Sequence, residues 1–441
     1  MSFAADKQTL DDLNLTGRYK PDSIFSLFNR VHTAGGEKWL DALFLAPLTD
    51  AAEINKRSGL FQYFQRKALV FPLESAVLTV MEGYLSANRG SGLLGVVVDT
   101  GRKKLMDMIL RDEGFSKIKE GLQASVSVLK AFYDLVCELE EDGPFGERVC
   151  EVKTIFHDRQ LSWLRSVDIQ GLSWWRVARY DHVLRSLLRT EMETLMGIIY
   201  EVDVYIAVAG VAAAKGFCYA EALPGERGLV HMAGLRHPRL DKGVGNTVSV
   251  SSSNNMLFLT GANMAGKSTL MKSFGIAVYL AHMGFPVAAK EMSFSVRDGL
   301  YSSINVPDDL SLGHSHFYAE VLRVKKVAQE VALGKDLVVI FDELFKGTNV
   351  KDAYDATLAV TRELAEYRDC FFIISTHIIE VGEALRVGCE NIRFAYLPTV
   401  MEGVTPRYTY VLKEGITADR HGMMIIENEG VVGMIRGCIP A

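Results

Sequence analysis

The chain has 441 residues, of which 49% are hydrophobic and 23% charged, and its formal net charge is −6. That length allows about two or three domains with cores of their own, and the composition is that of an ordinary soluble globular protein. The negative balance excludes a chain that coats nucleic acid by bulk charge, so any contact with DNA must come from local clusters of Lys and Arg.

Two such clusters stand out, Arg102, Lys103 and Lys104, and Arg323, Lys325 and Lys326. Both read as solvated helix faces, because scattered cations are ordinary surface residues. The six cysteines form no Cys-x-x-Cys pair, which reads as reduced thiols in a cytosolic protein. The opening MSFAADKQTLDD lacks a basic and then apolar leader, and the run Val204 to Ala214 is too short to span a bilayer. A soluble, cytoplasmic chain with no membrane partner is expected.

Up to about residue 220 the apolar residues return every three or four positions and prolines are few, so this part is expected to be helical. The turn-forming Asp142-Gly143-Pro144 separates two helices. From Trp174 to Lys215 the series Val177, Tyr180, Leu184, Leu187, Leu188, Leu195, Ile198 and Ile199 predicts one long helix or two nearly collinear ones. Trp174 and Trp175 are adjacent and cannot both face one ligand, so packing in a core or against a neighbouring domain is preferred to a base-stacking platform.

Beyond residue 225 short apolar runs alternate with turns and helices, the pattern of an α/β domain with a mostly parallel sheet. Residues 256–259, 337–341 and 371–374 are continuous apolar runs, as strands covered on both faces require. A polar group follows each: TGANMAGKST, then Asp342-Glu343, then Ser375-Thr376-His377. Ligands bind at the carboxyl ends of parallel strands, so the three groups are expected to converge on one site.

The first group has the spacing of a phosphate-binding loop, Gly261, Ala262, Asn263, Met264, Ala265, Gly266, Lys267, Ser268 and Thr269. Its glycines let backbone N–H groups turn toward phosphate oxygens, and the following helix presents its positive end to them. Lys267 is expected to reach the outer phosphates of ATP, and Ser268 and Asp342 to hold Mg²⁺. Glu343 can polarise an attacking water or, alternatively, serve as the carboxylate at a helix N-terminus. His377 can sense the γ-phosphate or hold the water, or simply cap its strand. The segment Gly313-His314-Ser315-His316-Phe317 lacks the second glycine of a hydrolase elbow, and no carboxylate or cysteine completes a metal site from His282, His314 and His316.

Taken together, TGANMAGKST, DDLSLGHSHFYAE (308–320), FDELFKGTN and STH resemble, in order and spacing, the ATPase domain of the MutS family of DNA mismatch repair proteins. GLRHPRL (234–240) is similar to the segment that opens that domain, residues 23–57 to the start of the MutS lever, and KEGITADRHGMMIIENEGVVGMI to the last ATPase helix. The resemblance implies an all-α lever-like domain over 1–220 and an α/β P-loop domain of the ABC type over 221–441. It also implies a Mg²⁺-dependent ATPase whose two subunits close over two ATP molecules, with Ser315 touching the γ-phosphate held by the other subunit and Gly347-Thr348-Asn349 at the interface. ATP state is then expected to open or close the helical arms around DNA, in a mismatch-repair or DNA-structure role alongside other repair proteins.

The 22 residues before the lever match leave no room for a mismatch-reading domain, so direct mismatch reading is not expected. A nucleotide-switched module that grips another protein, or a relative that binds junctions or ribosomes, stays open as an alternative. The segment 246–255 offers no aromatic where the family stacks one on adenine.

Overall fold

The three apolar runs are neighbouring strands, Leu337–Asp342, Phe371–Ser375 and Met256–Thr260, paired in parallel in that order. Their side chains are buried on both faces, and Val, Ile and Phe suit such a doubly covered position. Gly299–Ser303 and then Ala4–Ala5 extend the sheet on one side, both in parallel; Ile392–Tyr396 and the antiparallel Lys413–Glu414 extend it on the other. A second sheet of four strands, in the order Glu221–Leu223, Glu291–Ser295, Leu229–Leu235 and Asn246–Ser251, pairs mainly antiparallel.

The computed structural model describes residues 3–17, 20–87, 93–110, 113–168, 171–262, 264–304, 316–402, 405–417, 430 and 434–435. Contacts divide the chain into one unit of Met1–Phe28, Leu43–Ser58 and Val211–Ala441 and another of Asn29–Ala42 and Gly59–Gly210. A single cut after residue 220 therefore does not describe the contacts. Two N-terminal segments join the α/β unit because Ala4–Ala5 adds a strand to its sheet, and because Phe28 and Phe44 pack on Phe285 at ring separations of 5.5 and 5.4 Å, with Phe25 against Phe44 at 5.3 Å.

The other unit is helical. Gly114–Cys137 lies along Ser75–Ser86, and Leu93–Leu110 along Trp174–His182. The Asp142-Gly143-Pro144 turn stands where it is expected, before the helix Gly146–Phe156. Between Trp174–His182 and Arg189–Lys215 the chain makes a π turn, Val183–Leu187, in which Leu188 N donates to Val183 O at 2.9 Å. One residue too many per turn slips the helical phase. Val177, Leu184, Leu188, Leu195 and Ile199 stay buried, whereas Leu187 is 52% exposed. By length and composition Arg189–Lys215 could cross a membrane, but 67% of its apolar window is buried, as in a core helix.

Two expectations are corrected. Trp174 and Trp175 are 36% and 47% exposed rather than packed in a core; Trp174 stands over Gly101, which has no side chain to exclude it, and the Arg176 guanidinium lies 5.3 Å from the Trp175 ring. Arg323 is not on a solvated face. It is buried, and the carboxylate that pairs with it, Asp6, lies at the other end of the chain.

Candidate functional site: a cavity at the phosphate loop

Strand Met256–Thr260 delivers the chain to the loop, and helix Lys267–His282 carries it away. Gly266 caps that helix with φ at 100°, a left-handed conformation that a side chain would resist. Gly261 takes φ at 142°. These two glycines turn the loop back over the helix start, where unpaired N–H groups favour an anion. The Lys267 Nζ donates to the carbonyls of Gly261 at 2.7 Å and Ala262 at 3.2 Å. Burial pulls the pKa of this ammonium below its ordinary 10.5, and the negative charges of Glu343 and Asp342 oppose the shift.

The ends of the two neighbouring strands meet beside it. Asp342 and Ser375 are register partners, and the Ser375 hydroxyl donates to Asp342 Oδ1. Glu343 N donates to Ser375 O at 3.1 Å and to its Oγ at 3.2 Å. Glu343 adopts φ at 55° and Phe345 φ at 60°, conformations that cost a non-glycine residue energy and cluster where chemistry is done. The turn brings Glu343 to a cavity of about 730 Å³.

Ala262, Met264, Ala265, Gly266, Lys267, Ser268 and Thr269 line that cavity together with Glu343. Arg236, His237 and Leu240, from the segment expected to open the domain, line it too. His237 is partly buried, and its pKa is lowered first by that burial and then by the nearby Lys272 and Arg239 cations. Gly261 and Asp342 adjoin the cavity without lining it, and His377 is exposed and off its wall. Asn263 and Ser315 lie outside the described residues.

Sequence reasoning missed Tyr410 and Asn246. Tyr410 lines the cavity with φ at 56°, and a Cβ on Gly266 would stand 3.0 Å from its ring. The Asn246 amide holds that segment: its Nδ2 donates to Tyr410 O at 2.9 Å, and its Oδ1 accepts from Leu412 N at 2.7 Å. In RYTYVL nothing marks one tyrosine as special, and 164 residues separate it from Asn246.

The residues fit a nucleotide with a hydrated divalent cation. Leu240, Val244 and Tyr410 give the cavity apolar wall beside the residues of the loop. Among the described residues no group of three or more His, Cys, Asp or Glu could hold a metal alone. Mg²⁺ needs no such cage, because it keeps waters and takes phosphate oxygens, a hydroxyl and a carboxylate. His282 is excluded as a ligand: both ring nitrogens are used, Nδ1 at Val278 O and Nε2 accepting from Arg297 N, and burial pulls its pKa down to about 4.

Residues 257–435 match the family model of MutS domain V. The DNA mismatch repair protein MutS of Thermus thermophilus is 31% identical over 331 residues, 71% of this chain and 40% of that protein. The protein of the same name from Anaplasma phagocytophilum is 28% identical over 244 residues, 55% of this chain and 29% of that protein. The chain thus spans less than half the length of these relatives.

Proposed function

The chain belongs to the MutS family through its domain V, and from that membership we propose that it is a Mg²⁺-dependent ATPase of the ABC type that dimerises around ATP and couples hydrolysis to DNA binding in a repair role. The observation that carries the proposal is the meeting of Lys267, Ser268 and Glu343 on one nucleotide-sized cavity.

In this reading Lys267 exchanges its loop carbonyls for the outer phosphate oxygens, and burial strengthens that attraction. Ser268 and Asp342 would hold Mg²⁺, which would neutralise charge on the phosphates when bound. Ser375 keeps Asp342 in place by its hydrogen bond. Glu343 orients the attacking water, and its left-handed backbone sets its direction. Tyr410 offers a face to the base. His377 acts near the γ-phosphate only if closure brings it there, and Ser315 reaches the nucleotide of the partner subunit. The mechanism is therefore cooperative, with the γ-phosphate biasing a two-state closure.

Glu343→Gln tests the proposal. ATP binding should stay within about threefold of wild type while turnover falls about a hundredfold or more, as when a group acts only in the transition state. Wild-type turnover by this variant would remove Glu343 from the role. DNA coupling is tested separately by retention on duplex and branched DNA over a salt series, where phosphate contacts give a steep decline of affinity. No retention at low salt, with or without ATP, would refute that part.

A further inference from the structure

One short N-terminal helix holds both flanks of the segment that contains Ser315. Residues 305–315 are preceded by strand Gly299–Ser303 and Ile304, and followed by helix His316–Ala332. On the first flank, Asp12 Oδ2 accepts from Ser302 Oγ at 2.7 Å and from Ile304 N at 2.9 Å, and Thr9 Oγ1 accepts from Ser302 N at 3.0 Å. On the second flank, Arg323 reaches back from the helix. Its Nε donates to Ser302 O at 2.9 Å, and its other nitrogens bind Thr9 Oγ1 at 3.0 Å and both oxygens of Asp6. Asp6 also pairs with Lys326 at 2.6 Å and caps the helix Lys7–Asp12 by accepting from Thr9 N at 3.0 Å. The strand Ala4–Ala5 fixes this helix to the sheet edge beside Gly299, where only a glycine lets the backbones approach so closely.

Thr9, Asp12, Ser302 and Arg323 are all at most 5% exposed. Apolar side chains would tie a two-residue edge strand to the sheet at lower desolvation cost. Buried charges and directed hydrogen bonds do something apolar contacts cannot, which is to fix one register and one separation. Here the groups so fixed are the last residue before 305 and the first turns after 315.

We propose that Asp6, Thr9 and Asp12 are positioning residues that set the two flanks of segment 305–315, so that ATP turnover depends on them while ATP capture does not. The inference rests on the proposed role of Ser315 at the partner's nucleotide. Any ligand or partner that displaced residues 3–12 would then slow hydrolysis without competing for the nucleotide cavity.

The test uses the full chain with Asp12→Asn and with the volume-conserving pair Asp6→Asn/Arg323→Met, both checked for cooperative unfolding. The expected result is an ATP Kd within about twofold of wild type and a kcat lower by about tenfold or more, the split a group acting away from the binding step produces. Mixing each variant with Lys267→Ala subunits should restore part of the activity, because the lesion then lies on the subunit that keeps an intact loop. Mixing with Ser315→Arg should restore none. If folded variants keep wild-type kcat, or lose affinity and kcat together, the positioning role is overturned. If Ser315→Arg with Lys267→Ala recovers activity and Asp12→Asn with Lys267→Ala does not, the role is overturned while the composite site stands. Failure of the Ser315→Arg and Lys267→Ala mixture, where mixed dimers demonstrably form, refutes the composite site itself and with it the partner-directed role of the helix.

Discussion

Tyr410→Ala separates recognition of the base from recognition of the phosphates. The tyrosine borders the cavity, its ring lies against Gly266, and it is 46% exposed, so part of one face is open to a ligand. Stacking a base on an aromatic ring is worth about 1 to 3 kcal/mol by alanine substitution. With part of the ring already packed on the loop, the lower half of that range applies. A loss of about 1 to 2 kcal/mol weakens ATP by about five- to thirtyfold, at 1.4 kcal/mol per tenfold. Binding of the phosphates should not feel the change.

Inorganic tripolyphosphate is the control, since it carries the phosphates without a base. Titration calorimetry should show weaker ATP binding and unchanged tripolyphosphate binding for Tyr410→Ala. Asn246→Ala should reproduce the loss, because it removes the two hydrogen bonds that hold residues 410 and 412 and so frees a left-handed conformation that costs about 1 to 3 kcal/mol to maintain. If Asn246 acts only through Tyr410, the double variant should bind ATP no worse than Tyr410→Ala alone. Equal losses for ATP and tripolyphosphate, or none for either, would refute the assignment of Tyr410 to the base.

Two further outcomes concern stability. Burial acts to raise the pKa of Asp6, but the hydrogen bonds from Arg323, Lys326 and Thr9 outweigh it and hold the carboxyl well below its ordinary 3.8. A carboxyl depressed in the folded state stabilises above its unfolded value and loses that contribution as pH falls toward its folded one. Denaturant melts should therefore show a loss below about pH 4 that is smaller in Asp6→Asn/Arg323→Met, and an identical acid profile in both chains would contradict this. In the helical unit, the fully buried Asp203 carboxylate accepts from His32 N and from Thr33 N and Oγ1 at 2.8 to 3.0 Å, at the start of helix Ala34–Phe44. Asp203→Ala strands those donors and should cost about 2 to 5 kcal/mol in urea unfolding, with Asp203→Asn recovering part of it; a change under about 0.5 kcal/mol would refute the capping role.

What could be read from the sequence depended on the distance to the partner that gives a residue its meaning. The strands Met256–Thr260, Leu337–Asp342 and Phe371–Ser375 were legible because five apolar residues in a row already say that both faces are covered. The phosphate loop was legible because its glycines and Lys267 lie within seven positions. The place of Glu343 beside the loop was legible from its position at a strand end, though not its left-handed φ or the hydrogen bond of its N–H to Ser375 on the neighbouring strand. Arg323 beside Lys325 and Lys326 has the local pattern of a solvated face, and its carboxylate is 317 residues away. The strand Ala4–Ala5 has only two residues, too few for any period, and it exists because the edge of Gly299–Ser303 is there to pair with. Tyr410 is one tyrosine among 16 until Asn246 turns it toward Gly266. The residues proposed to bind phosphate are thus written in one short stretch, while those proposed to orient the base and to set the flanks of segment 305–315 are defined only by the fold. Substitutions far from the phosphate loop are for that reason the ones that can separate capture of ATP from its turnover.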